Sequence, residues 1–154
     1  MSILREIGII ARALDSIANI EFRDLDLARG QYLYLVRIAE QPGMIQEELS
    51  EVLKVDRSTV ARSVKKLEER GMIQQRPKGE NLKTKEWELT EKGKQIYPFI
   101  LGEHLYSERT ALKGFSKKEV AQLEEYLIRV RENITLDWEL VKKGKKRNYS
   151  EVKK

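Results

Sequence analysis

Between Arg57 and Lys66 the chain reads RSTVARSVKK, and its polar residues include Arg57, Ser58, Thr59, Arg62, Ser63 and Lys66, with no acid until Glu68 and Glu69. On a helical wheel with Val60 at zero, Val64 and Leu67 fall within about 40°, while Ser58, Thr59, Arg62 and Lys66 cluster on the far side. A face that is apolar behind and cationic with hydroxyls in front suits an anionic partner whose edges carry acceptors. Arg62 has the planar fork for a bidentate contact such as guanine offers, and Ser58 and Thr59 are short enough to let a helix end approach phosphate or base edges closely. Arg57 and Lys66 are assigned to phosphates. A merely solvated basic face is the competing reading.

Other chemistries find little support. The chain has no cysteine and one histidine, His104, so disulfides, thiol switching and cysteine zinc sites are excluded. A metal site would need carboxylates around a single imidazole, a poor match to transition-metal ligand sets. Ser63-Val-Lys-Lys66 fits a Ser-x-x-Lys pattern, yet no Ser-Asp-Asn or Lys-Thr-Gly element accompanies it. With no glycine-rich phosphate loop either, no enzyme and no cofactor are expected. His104 reads as a core or interface residue.

The 154 residues carry a formal net charge of +5, unevenly distributed. Residues 1–53 sum to −4, 54–94 to +5 and 95–154 to +4, and 142–154 hold 7 basic residues against Glu151. Positive charge gathered in one block is the electrostatic footprint expected for nucleic acid. Arg5, Glu6 and Arg12 interrupt the N-terminal apolar stretch, which argues against a spanning helix or signal peptide and for a cytoplasmic location.

The elements that must position the cationic face follow from periodicity. Ile3, Leu4, Ile7, Ile10, Ala11, Leu14 and Ile17 predict a helix to about Phe22, and a second is expected from about Leu27 to Ala39, stopped by QPG. Two short helices follow, Ile45 to Leu53 and Asp56 to Arg70, the latter with Asp56 as N-cap and Gly71 in the left-handed position past its end. MIQQRP and TKEWEL alternate as strands around KGENLK, a basic hairpin in which Trp87 is expected to pack beneath. Thr90 caps a helix from Glu91 to about Leu112 that Pro98 should bend early. Ser116-Lys-Lys-Glu119 is a capping box opening the last helix, whose seam runs through Val120, Leu123, Leu127, Val130, Ile134, Trp138 and Val141. The expected fold is therefore mainly α with a small β-hairpin wing, a winged helix-turn-helix carrying N- and C-terminal dimerisation helices.

In that organisation residues 1–22 and 95–143 form a helical dimerisation region, 23–94 the winged helix-turn-helix, and 144–154 a basic, disordered tail. Ile3, Ile7, Leu123, Leu127, Val130, Ile134 and Trp138 are the expected dimer contacts. Two such seams need a partner surface, and a homodimer joined through the chain ends supplies it. In a winged helix-turn-helix the second helix enters the major groove, so Arg57, Ser58, Thr59, Arg62, Ser63, Lys66 and the wing lysines Lys78, Lys83 and Lys85 are the expected DNA-binding set.

The stretch QEELSEVLKVDRSTVARSVKKLEERGMI with Leu89-Thr-Glu-Lys-Gly93 resembles the MarR family of transcription regulators, and the flanking helices extend the likeness over nearly the whole chain. In that family the wing commonly carries Asp-x-Arg nine and seven residues before the threonine, the arginine probing the minor groove. Here those positions are Asn81 and Lys83, which keeps the charge without the fork and leaves wing selectivity in question. The resemblance implies an obligate homodimer packed through its first, fifth and sixth helices. A twofold dimer in turn predicts a pseudo-palindromic operator with half-sites about 34 Å apart.

The resemblance also implies release of DNA by a small aromatic or lipophilic ligand bound between the dimerisation helices and the DNA-binding lobe. Ile10, Leu14, Tyr32, Val36 and Tyr97 are the candidates to line such a site, with Arg12 or Arg37 as charge partners, against a plain core role for each. A repressor is the expected outcome, since a dimer covering an operator obstructs polymerase without further contacts. The alternatives are a winged helix used for protein contact and a non-specific architectural DNA binder.

Overall fold

The computed structural model of the chain describes residues 2–76, 84–150 and 152, in two compact units, Met1–Arg109 and Thr110–Lys154. Six helices and one hairpin follow in the order α1 (Ile3–Glu21), α2 (Gln31–Glu40), α3 (Gln46–Leu53), α4 (Arg57–Glu69), β1 (Ile73–Gln75), β2 (Trp87–Leu89), α5 (Glu91–Ala111) and α6 (Lys117–Lys142). A 3-10 turn, Arg23–Leu25, lies between α1 and α2.

The second helix starts four residues later than its apolar spacing predicts. Asp26 (φ 59°) and Gly30 (φ 78°) both adopt the left-handed conformation, which interrupts a helix. Two amides of this loop are taken by side chains: Gly30 donates to Asn19 Oδ1 and Ala28 to Gln31 Oε1, each at 2.9 Å. Leu27, read as the first helical residue, is buried in this connecting loop.

The core of the first unit is assembled from Leu35 and Ile38 of α2, Leu49 of α3, Val60, Val64 and Leu67 of α4, Met72 and Ile73, Trp87 of β2, and Ile100 of α5. Each of these large side chains contributes about 1.5–3 kcal/mol on leaving water. Helix α4 is defined at both ends. Asp56 is extended and its carboxylate accepts the Thr59 amide at 3.0 Å. At the other end Gly71 (φ 71°) permits a Schellman closure, with Met72 N–H donating to the Leu67 carbonyl (3.0 Å) and Gly71 N–H to that of Glu68 (2.9 Å).

The α3–α4 turn is held by buried Ser50, whose hydroxyl donates to the Val55 carbonyl (2.5 Å) while its own carbonyl accepts the Val55 amide (3.2 Å). The hairpin pairs antiparallel, Ile73 with Leu89, Gln74 with Glu88 and Gln75 with Trp87. Trp87 also bridges Met44, donating its amide to the Met44 carbonyl at 2.9 Å and accepting the Gly43 amide at 2.8 Å. Its ring is buried beneath the hairpin, as the alternation predicts. The LTEKG segment has a steric reason for its glycine: a Cβ on Gly93 would lie 2.2 Å from the Met72 carbonyl oxygen. Thr90 Oγ1 accepts the Gly93 amide at 3.2 Å and donates to the Gly71 carbonyl at 2.5 Å, joining the start of α5 to the end of α4.

Helix α6 opens with the expected capping box, Glu119 N–H to Ser116 Oγ at 3.1 Å and Ser116 N–H to Glu119 Oε2 at 2.7 Å. None of its residues is buried, and Leu123, Leu127 and Ile134 stand exposed along it. Helix α1 buries only Ala18 and leaves Ile3, Ile10 and Ile17 exposed. In the second unit Lys142 lies over the Trp138 ring at 4.6 Å, and Arg147 pairs with Asp137 at 3.1 Å. Among the described residues, no helix is long and apolar enough to cross a membrane.

Candidate nucleic-acid interface

Burying Val60, Val64 and Leu67 forces the remaining faces of α4 outward. Arg57, Ser58, Arg62, Lys65 and Lys66 are exposed, and Thr59 and Ser63 are half-buried beside them. The spacing thus brings the predicted reading residues onto one accessible helix. Lys85, before β2, is exposed too, whereas Lys78 and Lys83 lie outside the described residues.

The front of this face is internally organised. Asp56 accepts the Ser58 hydroxyl at 2.5 Å and the Thr59 hydroxyl at 2.6 Å. These hydroxyls, the Ser58 one foremost, and the Thr59 amide hold the Asp56 carboxyl well below the usual carboxylate range. With their protons committed to Asp56, Ser58 and Thr59 have only lone pairs left to offer. Arg62 rests on Thr59, its Nη2 donating to Oγ1 at 3.2 Å, which orients a guanidinium otherwise free to wander.

Arg57 is differently placed. Its Nη2 meets Glu47 Oε1 of α3 at 2.7 Å, so the charge assigned to phosphate is shared with an acid ten residues upstream. Glu47 went unnoticed in the sequence because the pair spans two helices and appears on neither wheel. Lys65 and Arg76 also enlarge the basic surface. The Arg76 amide donates to the Glu86 carbonyl at 2.7 Å beside the hairpin, and its guanidinium reaches the Pro42 carbonyl at 3.4 Å.

The residues proposed for a small ligand differ in burial. Ile10 and Leu14 are exposed on α1, Val36 and Tyr97 pack half-buried against the core, and Tyr32 is buried. Tyr32 donates to Asp15 Oδ1 at 2.9 Å and stands edge-on to Phe22 (5.4 Å) and His104 (5.8 Å). Burial, then Asp15, push its phenol above the ordinary tyrosine range. His104 Nε2 is 3.7 Å from Glu103 Oε2. None of the five lines the cleft of about 390 Å³ formed by Ser16, Asn19, Ile20, Arg23, Leu27 and Arg29. Among the described residues, no group of three or more His, Asp or Glu is placed to hold a metal ion.

Comparison with known proteins points to one family. The model of the MarR family matches residues 27–85. The HTH-type transcriptional regulator YybA of Bacillus subtilis (strain 168) is 60% identical over 147 residues, 96% of this chain and 98% of that protein. Among solved structures, a MarR family transcriptional regulator from Listeria monocytogenes complexed with 26mer DNA is 53% identical, covering 95% of this chain and 97% of its own at a TM-score of 0.92. The transcriptional regulator SlyA is 55% identical, with a TM-score of 0.86 over 92% of this chain and 99% of that one.

Proposed function

The chain belongs to the MarR family of transcriptional regulators, and from that premise we propose that it is a sequence-specific, double-stranded DNA-binding repressor, working as a homodimer released by a small aromatic or lipophilic ligand. The observation that carries the reading is the exposed cationic face of α4, on a helix fixed at both ends by Asp56 and Gly71. The Listeria monocytogenes relative, of matching fold and complexed with 26mer DNA, supports it.

In this reading residues 23–94 meet DNA, while 1–22 and 95–143 join two copies and 144–154 form a basic tail. Arg62 reads a base edge in the major groove. Arg57, Lys66 and the wing lysines Lys78, Lys83 and Lys85 neutralise phosphates. The exposed apolar residues of α1 and α6 support the second copy, and twofold symmetry makes the operator pseudo-palindromic. Tyr32, Val36 and Tyr97 remain the candidates for the ligand, with Ile10 and Leu14 of α1 completing the site.

The test is selection from random duplex DNA by the full-length protein at near-physiological salt, followed by the same measurement on Arg62→Ala. An enriched palindrome that Arg62→Ala binds with discrimination reduced by about 1–3 kcal/mol at one position supports the reading. Salt-sensitive binding without an enriched site would point to an architectural DNA binder, and no binding to any duplex to a protein-contact role.

A further inference from the structure

Arg70 is the last cation of the α4 segment and would be counted with the others on charge alone. Its side chain, one-third exposed, turns instead to the loop before α2. Its Nη1 donates to Gln31 Oε1 at 2.8 Å and to the Asp26 carbonyl at 3.0 Å. Gln31 is buried, and the same Oε1 accepts the Ala28 amide. From the other side, Lys92 Nζ of α5 donates to the Arg70 carbonyl at 2.9 Å and stands 3.6 Å from Asp26 Oδ2, with Arg70 Nε 4.0 Å from Asp26 Oδ1. Three elements, the end of α4, the left-handed turn before α2 and the first turn of α5, thus converge on two cations and one acid.

We propose that Arg70 is a positioning residue for DNA reading, a latch that fixes the angle at which α4 is presented by tying its last turn to the Asp26–Gln31 loop and, through Lys92, to α5. This rests on the DNA-binding function above. A helix that enters a groove by its N-terminal end is a lever held at the other end, so slack at Arg70 is felt at Arg62 and Ser58. Nη1 donates both bonds while Nε of the same rigid plane lies 4.0 Å from Asp26 Oδ1, so the guanidinium holds three directions at once. An ammonium keeps the charge and gives up the geometry. The closeness of Lys92 makes the start of α5 part of the same joint, so a shift of α5 reaches the reading helix without crossing the core.

The test compares wild type, Arg70→Lys, Arg70→Gln and Asp26→Asn as full-length proteins, on the enriched duplex and on random duplex, over a range of salt. Asp26→Asn keeps a residue that tolerates the left-handed conformation, so it preserves the fold if an Arg70 variant does not. The expected result is a preference for the enriched duplex lowered about tenfold in both Arg70 variants. Asp26→Asn should show a smaller drop, with salt slope and binding to random duplex unchanged throughout. Equal weakening on all duplexes with the slope reduced by about one in Arg70→Gln would show a phosphate contact and overturn the proposal. Full retention of preference in Arg70→Lys would overturn it as well. A wild type that prefers no duplex would fail at the first step, removing the functional reading and the latch together; a selective wild type with unaffected variants would remove the latch alone.

Discussion

Leu67 on α4 and Leu127 on α6 are both leucines in the apolar stripe of an amphipathic helix. One is fully buried and the other 44% exposed. The lobe from α2 to β2 completes its core within one chain, from three helices, a hairpin, Ala18 of α1 and Ile100 midway along α5. Helix α6 is as well defined by its capping box, yet buries no residue. The contrast separates two uses of the same pattern: a stripe answered by its own chain specifies a fold, and a stripe left open asks for a surface from outside.

The sharpest way to break this contrast is to truncate both leucines. Leu67→Ala should cost about 2–5 kcal/mol, seen as a lower unfolding midpoint at every protein concentration. Leu127→Ala in a lone chain should stay within about 0.5 kcal/mol. If a second copy covers α6, it will cost more and raising the protein concentration will restore part of the loss. Two glycines of α5 repeat the comparison at smaller scale. Gly93→Ala must displace the Met72 carbonyl and should lose about 1–3 kcal/mol in thermal unfolding. Gly102 has nothing within 4 Å of the added methyl, so Gly102→Ala should gain about 0.5–1 kcal/mol. A loss there instead would mean that a partner packs against that spot.

On the reading face the expected effects are smaller. Glu47→Gln releases Arg57 and should tighten binding to all duplexes by at most about 1 kcal/mol, an effect that fades with added salt. The weakest is an acid limb. Asp56 has its pKa depressed in the folded state, so its contribution is fully present above the ordinary value of 3.8 and lost as pH falls below it toward the folded pKa. Asp56→Asn should flatten that part of the stability curve in acid thermal scans, and an unchanged curve would show that the cap carries no such linkage.

Local features were the legible ones. Asp56, Gly71, Thr90 and Ser116 announce helix ends because each satisfies a backbone group within a few residues. The face of α4 was visible because its period is set by the helix itself. The start of α2 was not, since Leu27 carries the right polarity in a loop whose left-handed turns are held by Asn19 and Gln31. The Glu47–Arg57 pair and the Arg70–Asp26 contacts were equally hidden: they join residues ten and 44 positions apart, and no periodicity reports where two elements meet. Lys78, read from charge, and Lys83, read from its place in the family's wing pattern, lie outside the described residues.

The chain has two tryptophans, and they fall one in each unit. Trp87 is sealed under the hairpin, its backbone stitched to Met44 and its indole nitrogen without a hydrogen-bond partner among the described residues. Trp138 is half-buried on α6 beneath an ammonium group. An indole sealed from water emits at shorter wavelength than one partly open to it, so the two regions carry distinguishable optical labels. Single Trp→Phe variants would therefore let the hairpin and the last helix be followed separately by fluorescence, each reporting its own unfolding or docking with no added dye.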